Sequence, residues 1–347
     1  MKQKAHSWLA LRALKLIEDS GKVPKLTELL FYYLTDIWQG AWIPDTLIVD
    51  LKYGHIFKMD SDDTIPGLKL KGETWLQLDK NKLDKELVGE RRCLEYIADS
   101  PELAKPYRAH PRYGGHLPNR VIAVSHCIGD MLKLGDFPLS FYAQSRKKKG
   151  YKTKDASGRD LSAEAIRNLS LSPNFSARQI ALMFFILSHY VCDAHMPLHC
   201  DLRDSAEPPC GRRLNDKLHT SIEEVWEEWF PSESHFAVHD RQTKSLDEAV
   251  KALPEGSLLK LDTDPRFALD TDIKRIKRDE WQEMVYITRV SYAVSRKWIT
   301  RDYPKAEEMI SDISQDEFVK VSNYIFHDAV SAIARLWYAA WKRYLQL

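Results

Sequence analysis

One segment, residues 176–196, constrains the fold more than any other part of the chain. It contains the run QIALMFFILSHYV, which would be apolar on every side of a helix. A helix that is hydrophobic all round is buried inside a protein, and Ser176 can cap its first turn. Near its end the segment carries His189 and Asp193, and burial of such side chains is costly unless they are paired or bind metal. We therefore expect a central buried helix that contributes to a polar site.

The remainder of the chain is also mainly helical in pattern. Apolar residues recur at helical spacing in seven further segments, at about 5–19, 25–38, 83–98, 119–134, 218–230, 279–299 and 315–345. Long polar stretches separate them, at 100–118, 144–175, 200–217 and 231–278. Loops of this length are either functional or disordered. Because no internal repeat or flexible linker divides the sequence, we predict a single all-α domain over residues 1–347, with long loops and many helices around the central one.

The charge balance does not favour a partner attracted by the overall charge of the protein. The chain has 51 Lys and Arg residues against 50 Asp and Glu residues, so no overall field attracts nucleic acid or acidic lipid. No apolar stretch is long enough to span a bilayer. The basic run RKKKGYKTK at 146–154 is best interpreted as a solvated loop, with a nucleic-acid or anionic-lipid patch as the alternative.

The cysteines and the N-terminal residues favour a reducing compartment. Five cysteines cannot all pair, and none has the CxxC spacing. The apolar residues near the N-terminus are interrupted by Arg12, Lys15 and Glu18, which does not fit a signal peptide. We therefore predict a cytoplasmic protein, with a secreted protein as the alternative if a leader was removed before residue 1.

Two histidine–carboxylate pairs indicate the chemistry of the site. His189 and Asp193 are four residues apart, and so are His219 and Glu223. Residues at this spacing share one face of a helix. His199 follows the first pair after MPL, whose proline ends the helix and can turn the chain back toward that face. Imidazole and carboxylate groups in this arrangement suit zinc. The simpler interpretation is a buried His–Asp hydrogen bond and an exposed His–Glu pair.

The spacing HxxxDxxxxxH followed by HxxxE resembles the pattern of the zinc-dependent phospholipase C family and of the related single-strand-specific zinc nucleases. Three further parts of the chain agree. His6 in HSWLALRAL is similar to the family's N-terminal histidine, and GAWIPD at 40–45 is similar to the loop that ends in a metal-binding aspartate. AVSAIARLWYAAWKRY resembles the family's last helix. The resemblance covers both ends and the middle of the chain, while the long loops match nothing.

The resemblance implies a cluster of two to three zinc ions. The ligands of the first ion would be Asp45, His55, His189 and Asp193. The ligands of the second would be His199, His219 and Glu223. In the family a third ion uses the N-terminal histidine, the shared aspartate, and the amino and carbonyl groups of an N-terminal tryptophan. Those residues map to His6 and Asp193, but the tryptophan is absent. Met1 can supply the same backbone atoms if it is retained, yet we expect this third site to be weak or empty.

The resemblance also implies phosphoester hydrolysis. A metal-bridging water would be the nucleophile, and Asp45 would orient it or act as its general base. Clustered zinc ions would lower the pKa of that water, neutralise phosphoryl oxygens and stabilise the leaving oxygen. Because GAWIPD is nearer the phospholipase branch, we expect a phospholipase C-like enzyme acting on a phospholipid or another phosphodiester. Two alternatives stay open: a single-strand nuclease or nucleotidase, and a non-catalytic binding protein that zinc stabilises.

Other histidines have supporting roles at most. His195 lies between the expected ligands, and we expect it to hydrogen-bond to groups around the metal centre. His126 and Asp130 form another pair four residues apart on a helix predicted to be buried. That pair would either support the ligands or, as the alternative, replace His55 among them.

Overall fold

The fold is all-α, as the sequence predicts. The structure is a computed structural model, and it describes residues 1–48, 54–60, 91–97, 108–109, 116–134, 176–206, 208, 213–237, 245–261, 263–273 and 279–345. The helices are α1 (Gln3–Ser20), α2 (Pro24–Tyr32), α3 (Ile37–Gly40), α4 (Ile43–Thr46), α5 (Arg92–Ile97), α6 (Leu117–Leu134), α7 (Ala177–Ala194), α8 (Asp216–Glu227), α9 (Glu233–Ala237), α10 (Leu246–Lys251), α11 (Glu280–Trp298), α12 (Ala306–Ile313) and α13 (Gln315–Leu345).

Short elements complete the described part of the chain. Single 3-10 turns occupy Leu34–Asp36, Pro197–Cys200, Leu202–Asp204 and Pro265–Phe267. Strand β1 (Met59–Asp60) pairs antiparallel with β2 (Arg108–Ala109), and this two-residue ladder leaves the all-α class unchanged. Among the described helices, none combines the length and the apolarity needed to cross a lipid bilayer.

The predicted helices agree with the structure except at 25–38, and the structure adds α12 between two predicted helices as well as helices in a predicted loop. The segment predicted at 25–38 is divided, because α2 ends at Tyr32 and α3 begins only at Ile37. The stretch 231–278, predicted to be a loop, contains the short helices α9 and α10. The loop predicted at 144–175, the basic run within it and residues 83–90 lie outside the described residues.

Helix α7 is the central helix that the sequence predicts. Ser176 caps it in a reciprocal arrangement: the Gln179 backbone N–H donates to the Ser176 hydroxyl, and the Ser176 N–H donates to the Gln179 side chain. Phe184 and Phe185 are fully buried. The helix packs against α6 on one side and against α1, α3 and α13 on others. It ends at Ala194, and Pro197 then opens the following 3-10 turn.

The hydrophobic core joins the two ends of the chain. One cluster of buried apolar residues includes both Met1 and Tyr344. The long C-terminal helix α13 packs along α1, and its Trp337 donates a hydrogen bond of 2.8 Å to the carbonyl of Phe184 in α7. Side chains from both ends of the described chain therefore share one core.

Gly40 allows α3 to cross α7 at close range. A Cβ atom at Gly40 would lie 2.8 Å from the Cβ of Phe185, closer than side chains normally approach. The glycine of GAWIPD is therefore required by packing. The crossing also determines where the chain enters α4, which carries Asp45.

Candidate metal centre

The last two turns of α7 contribute His189 and Asp193 to the candidate site. Both side chains are buried, at 0% and 2% exposure, and they lie on the same helix face, as their spacing predicts. The Nδ1–H of His189 donates to the backbone carbonyl of Ala41 at 2.8 Å. That hydrogen bond leaves Nε2 of His189 directed at Oδ2 of Asp193, 3.2 Å away.

Asp45 and His55 meet this pair from two other segments. Pro44 is the second residue of α4 and presets its first turn, which places Asp45 beside α7. Two hydrogen bonds directly after His55 hold its segment in place. Leu117 N–H donates to the Ile56 carbonyl, and Phe57 N–H donates to the His199 carbonyl. Asp45, His55 and His189 consequently form one of three groups of potential metal ligands within the described residues.

With Asp193, the first group brings four potential metal-ligand atoms close together. In a tetrahedral zinc site with ligand bonds of about 2.0–2.1 Å, neighbouring ligand atoms lie about 3.3 Å apart. Nδ1 of His55 lies 3.5 Å from Oδ1 of Asp45, 3.1 Å from Nε2 of His189 and 2.8 Å from Oδ2 of Asp193. Nε2 of His189 lies 3.5 Å from Oδ1 of Asp45 and 3.2 Å from Oδ2 of Asp193. These five separations between two imidazole nitrogens and two carboxylate oxygens lie in the range of neighbouring ligand atoms around a metal ion.

A second group combines the turn after α7 with α8. His199 stands in the turn Pro197–Cys200, and the pair His219 and Glu223 lies on one face of α8. Nε2 of His219 is 3.2 Å from Oε1 of Glu223, and the rings of His199 and His219 are 4.9 Å apart. Nδ1 of His199 is buried and has no hydrogen-bond partner, while it lies 3.4 Å from Oδ1 of Asp193. A buried imidazole nitrogen without a partner is what a site built for a metal ion would leave.

A third group lies where α1 begins. His6 stacks on His189 with ring centroids 4.1 Å apart, and its Nε2 is 3.6 Å from Oδ1 of Asp193. The carbonyl oxygen of Met1 is 3.0 Å from the same nitrogen. The α-amino nitrogen of Met1 is 2.6 Å from Oε1 of Glu223 and 3.9 Å from Oδ1 of Asp193. His6 therefore has potential metal-ligand atoms of Met1 and Asp193 nearby, although the sequence led us to expect a weak or empty third site.

Asp193 connects the three groups. Its Oδ2 faces His55 and His189, whereas its Oδ1 faces His6 and His199. Burial alone would raise the pKa of this carboxyl group, but His189 and His199 lower that pKa well below its usual range. Asp193 is thus a carboxylate with one oxygen for each side of the cluster, the geometry that a bridging ligand needs.

The histidines differ in their protonation. Burial lowers the pKa of His6 and of His199 well below the usual value, so both rings are neutral, which is the form that binds metal. Burial would also lower the pKa of His189, but Asp193 and Asp45 outweigh it and raise that pKa to about 9. A metal ion that binds His189 near neutral pH therefore has to displace a proton.

The structure brings all eight predicted ligands together, and their role as ligands stays a prediction. His195 differs from expectation. Its Nδ1–H donates to the carbonyl of Val191 in its own helix, and its ring lines a small cavity with Arg91 and Asp328. The prediction of a hydrogen bond to the metal centre is therefore wrong. His126 and Asp130 are exposed on α6, because the buried stripe of that helix consists of other residues, and so they do not replace His55.

Three contacts around the site have no signal in the sequence. The Ala41 carbonyl orients His189, and a backbone group carries no side-chain pattern. Oδ2 of Asp204 lies 3.0 Å from Nδ1 of His219, and the buried Nζ of Lys58 donates to the same oxygen at 2.8 Å. Asp204 and Lys58 come from polar stretches without periodicity, so only the folded chain reveals them.

Comparisons of the chain with protein families, with curated proteins and with solved structures found no match.

Proposed function

We propose that this protein is a zinc-dependent phosphoric ester hydrolase of the phospholipase C type. The observation that carries the proposal is the close approach of potential ligand atoms from Asp45, His55, His189 and Asp193, with five separations between 2.8 and 3.5 Å. The second group shares Asp193 with the first through its other oxygen. Several zinc ions in contact with one carboxylate are suited to phosphodiesters, because the charge of the ester and of its leaving oxygen must be neutralised.

The proposed ligands divide between two ions and a third, optional one. His55 and His189 with two carboxylates would hold the first ion, and His199, His219 and Glu223 would hold the second. When bound, such ions supply a nucleophile from water at neutral pH and neutralise the phosphoryl oxygens. His6 with the amino and carbonyl groups of Met1 would hold the third.

Asp45 is the proposed base. Its side chain is 32% exposed, so water and substrate reach it, whereas Asp193 is buried. Oδ1 of Asp45 faces the two histidines, which leaves Oδ2 to accept a proton. We propose that Asp45 orients the attacking water and holds its proton at Oδ2 until the leaving oxygen takes one up.

Two exposed aliphatic residues favour a lipid substrate. Leu47 is 77% exposed and Ile48 is 50% exposed, and they follow directly on Asp45 and Thr46. Large apolar side chains in contact with water beside a candidate site are suited to an apolar ligand. Acyl chains that emerge from a phosphoester bound near Asp45 would contact them.

The two other interpretations make different demands on the same surface. A nucleotide substrate needs an aromatic ring for its base, and Trp42, half-buried beside His6 and His189, is such a ring. A non-catalytic binding protein would instead have a site closed to water. The exposure of Asp45 favours an enzyme.

The test combines a metal count with a substrate panel. Zinc is measured on the purified protein, and rates are measured on phosphatidylcholine, phosphatidylinositol, short single-stranded DNA and 3′-nucleotides. We expect two or three zinc ions per chain and the highest rate on a phospholipid. Asp45→Asn should lower kcat about 10²–10⁴-fold, as removal of a general base does.

Asp36→Asn is the matched control, because Asp36 makes a surface ion pair with Arg178 and contacts no proposed ligand. This variant should keep both zinc and activity. A wild-type protein without zinc, or an Asp45→Asn variant with full activity, would contradict the proposal. Turnover of nucleic acid alone would favour the nuclease alternative.

A further inference from the structure

Lys58 is a buried cation next to the candidate metal centre. Its side chain is 1% exposed, and its ammonium group donates to the Leu198 carbonyl, to the Asp204 carbonyl and to Oδ2 of Asp204. Burial of a charged group costs several kcal/mol unless its hydrogen bonds are satisfied, and these acceptors use all three donor protons of Lys58. Such a group occupies one defined position.

Asp204 links this cation to His219. The oxygen that accepts from Lys58 also lies 3.0 Å from Nδ1 of His219. The Asp204 carboxylate accepts from Nδ1–H, and Nε2–H donates to Oε1 of Glu223 at 3.2 Å, so Nε2 is the nitrogen that would exchange its proton for a metal ion. Histidines that ligate metals commonly donate their other N–H to such a carboxylate, which fixes the tautomer and the ring orientation.

The other acceptor of Lys58 is next to a second proposed ligand. Leu198 immediately precedes His199, and its carbonyl receives a hydrogen bond from Lys58. One ammonium group therefore contacts both the turn that carries His199 and the carboxylate that orients His219. His199 and His219 come from different parts of the chain, yet the Lys58 side chain connects the groups that hold both of them.

The turn has a separate clamp that does not involve Lys58. Asp201 is fully buried and accepts several hydrogen bonds from Arg203 and one of 2.7 Å from the Ser295 hydroxyl. Arg203 also donates to the Ile299 carbonyl. Because this clamp already holds the turn against α11, Lys58 is not needed merely to fold it.

We infer that Lys58 and Asp204 are positioning residues that set the orientation of His219 and His199 toward a shared metal ion. The inference rests on the proposed metal centre, and it concerns metal affinity and ligand geometry. It adds two residues that contact neither the substrate nor the reacting atoms.

The experiment measures zinc affinity and histidine tautomers in the full chain. Affinities come from competition with a chromophoric chelator, and tautomers come from ¹⁵N NMR of the zinc-loaded protein. Asp204→Asn and Lys58→Met should each lower the affinity for one zinc ion about 10–100-fold and leave the affinities for the others unchanged. The double variant should bind zinc no more weakly than Asp204→Asn alone, because both substitutions interrupt the same chain of contacts. In the wild type, His219 should carry its proton on Nδ1.

Ser295→Ala is the control, since it loosens the clamp on the same turn without touching Lys58 or Asp204. It should keep the wild-type zinc affinities. Unchanged affinities in both variants, or a His219 proton on Nε2, would overturn the inference while the proposed function stands. Equal weakening by Ser295→Ala would also overturn it. If Lys58→Met does not fold, the zinc affinity of Asp204→Asn and the His219 tautomer of the wild type still test the inference. A wild type that binds no zinc would overturn both proposals.

Discussion

The α-amino nitrogen of Met1 lies 2.6 Å from Oε1 of Glu223, although the two residues are 222 positions apart. Met1 is buried, and the residue two positions before α1 is thereby joined to the face of α8 that carries Glu223. Burial would lower the pKa of the amino group, but Glu223 and Asp193 outweigh it and raise that pKa. Met1 thus lies within the candidate centre.

Blocking the amino group of Met1 should therefore remove one zinc ion. An extension at Met1 converts the amine into an amide. The nitrogen lone pair of an amide is delocalised and is not available to bind zinc. We expect one zinc fewer per chain and a lower phosphodiesterase rate than for protein that starts at Met1. The same extension at the C-terminus is the control. An unchanged zinc count would support the weak third site that the sequence favours, and a centre of two ions.

Asp193→Ala should cost both metal and stability. The substitution removes a carboxylate that faces four histidines from two sides. His189 is then a buried cation without its main partner. The loss of such a partner should lower the free energy of unfolding by about 3–5 kcal/mol. Zinc analysis and urea denaturation measure the two effects. Asp130→Ala, at an exposed position of α6, should change neither. Full zinc stoichiometry in Asp193→Ala would show that Asp193 is not a ligand.

Gly40→Ala should destabilise the crossing of α3 and α7. The added methyl group would meet Cβ of Phe185 at 2.8 Å, and this backbone-linked atom cannot move aside cheaply. Overpacking of this kind costs about 1–3 kcal/mol, and the shift should also lower activity through Asp45. Gly129→Ala in α6 is the matched control, since its Cβ would meet only Arg343 at 3.8 Å. Equal stability of the two variants in thermal unfolding would contradict the packing argument.

The stability of the protein should fall on acidification because of His195. Burial, with Arg91 nearby, lowers the pKa of His195 from 6.5 to about 4. Between these two values the unfolded chain binds a proton that the folded chain does not. The free energy of unfolding therefore decreases as the pH falls from about 6.5 to 4, by up to about 3 kcal/mol.

His195→Gln should remove this part of the pH dependence. The measurement is the difference in unfolding free energy between wild type and variant at pH 7 and at pH 4.5, which cancels contributions from zinc. His126→Gln accounts for the loss of one exposed histidine. A difference that does not change with pH would mean that His195 is not held neutral.

The long helices were predictable because their signal is local. Apolar residues at 3.6-residue spacing predicted α1, α6, α7, α11 and α13 to within a few residues. The short helices α9 and α10 were missed, since five or six residues contain too little periodicity to distinguish a helix from a loop. The environments of His195, His126 and Asp130 were predicted wrongly, because spacing alone does not tell which face of a helix is buried.

The sequence alone determined the all-α class, the buried central helix and the two candidate ligand pairs, His189 with Asp193 and His219 with Glu223. Both pairs depend only on the geometry of a single helix. The tertiary structure decided that these pairs share one site, that Met1 reaches Glu223, and that Lys58 holds Asp204 against His219. Contacts between such distant residues arise when helices pack around a common core, and no local pattern of residues records how that packing will bring them together.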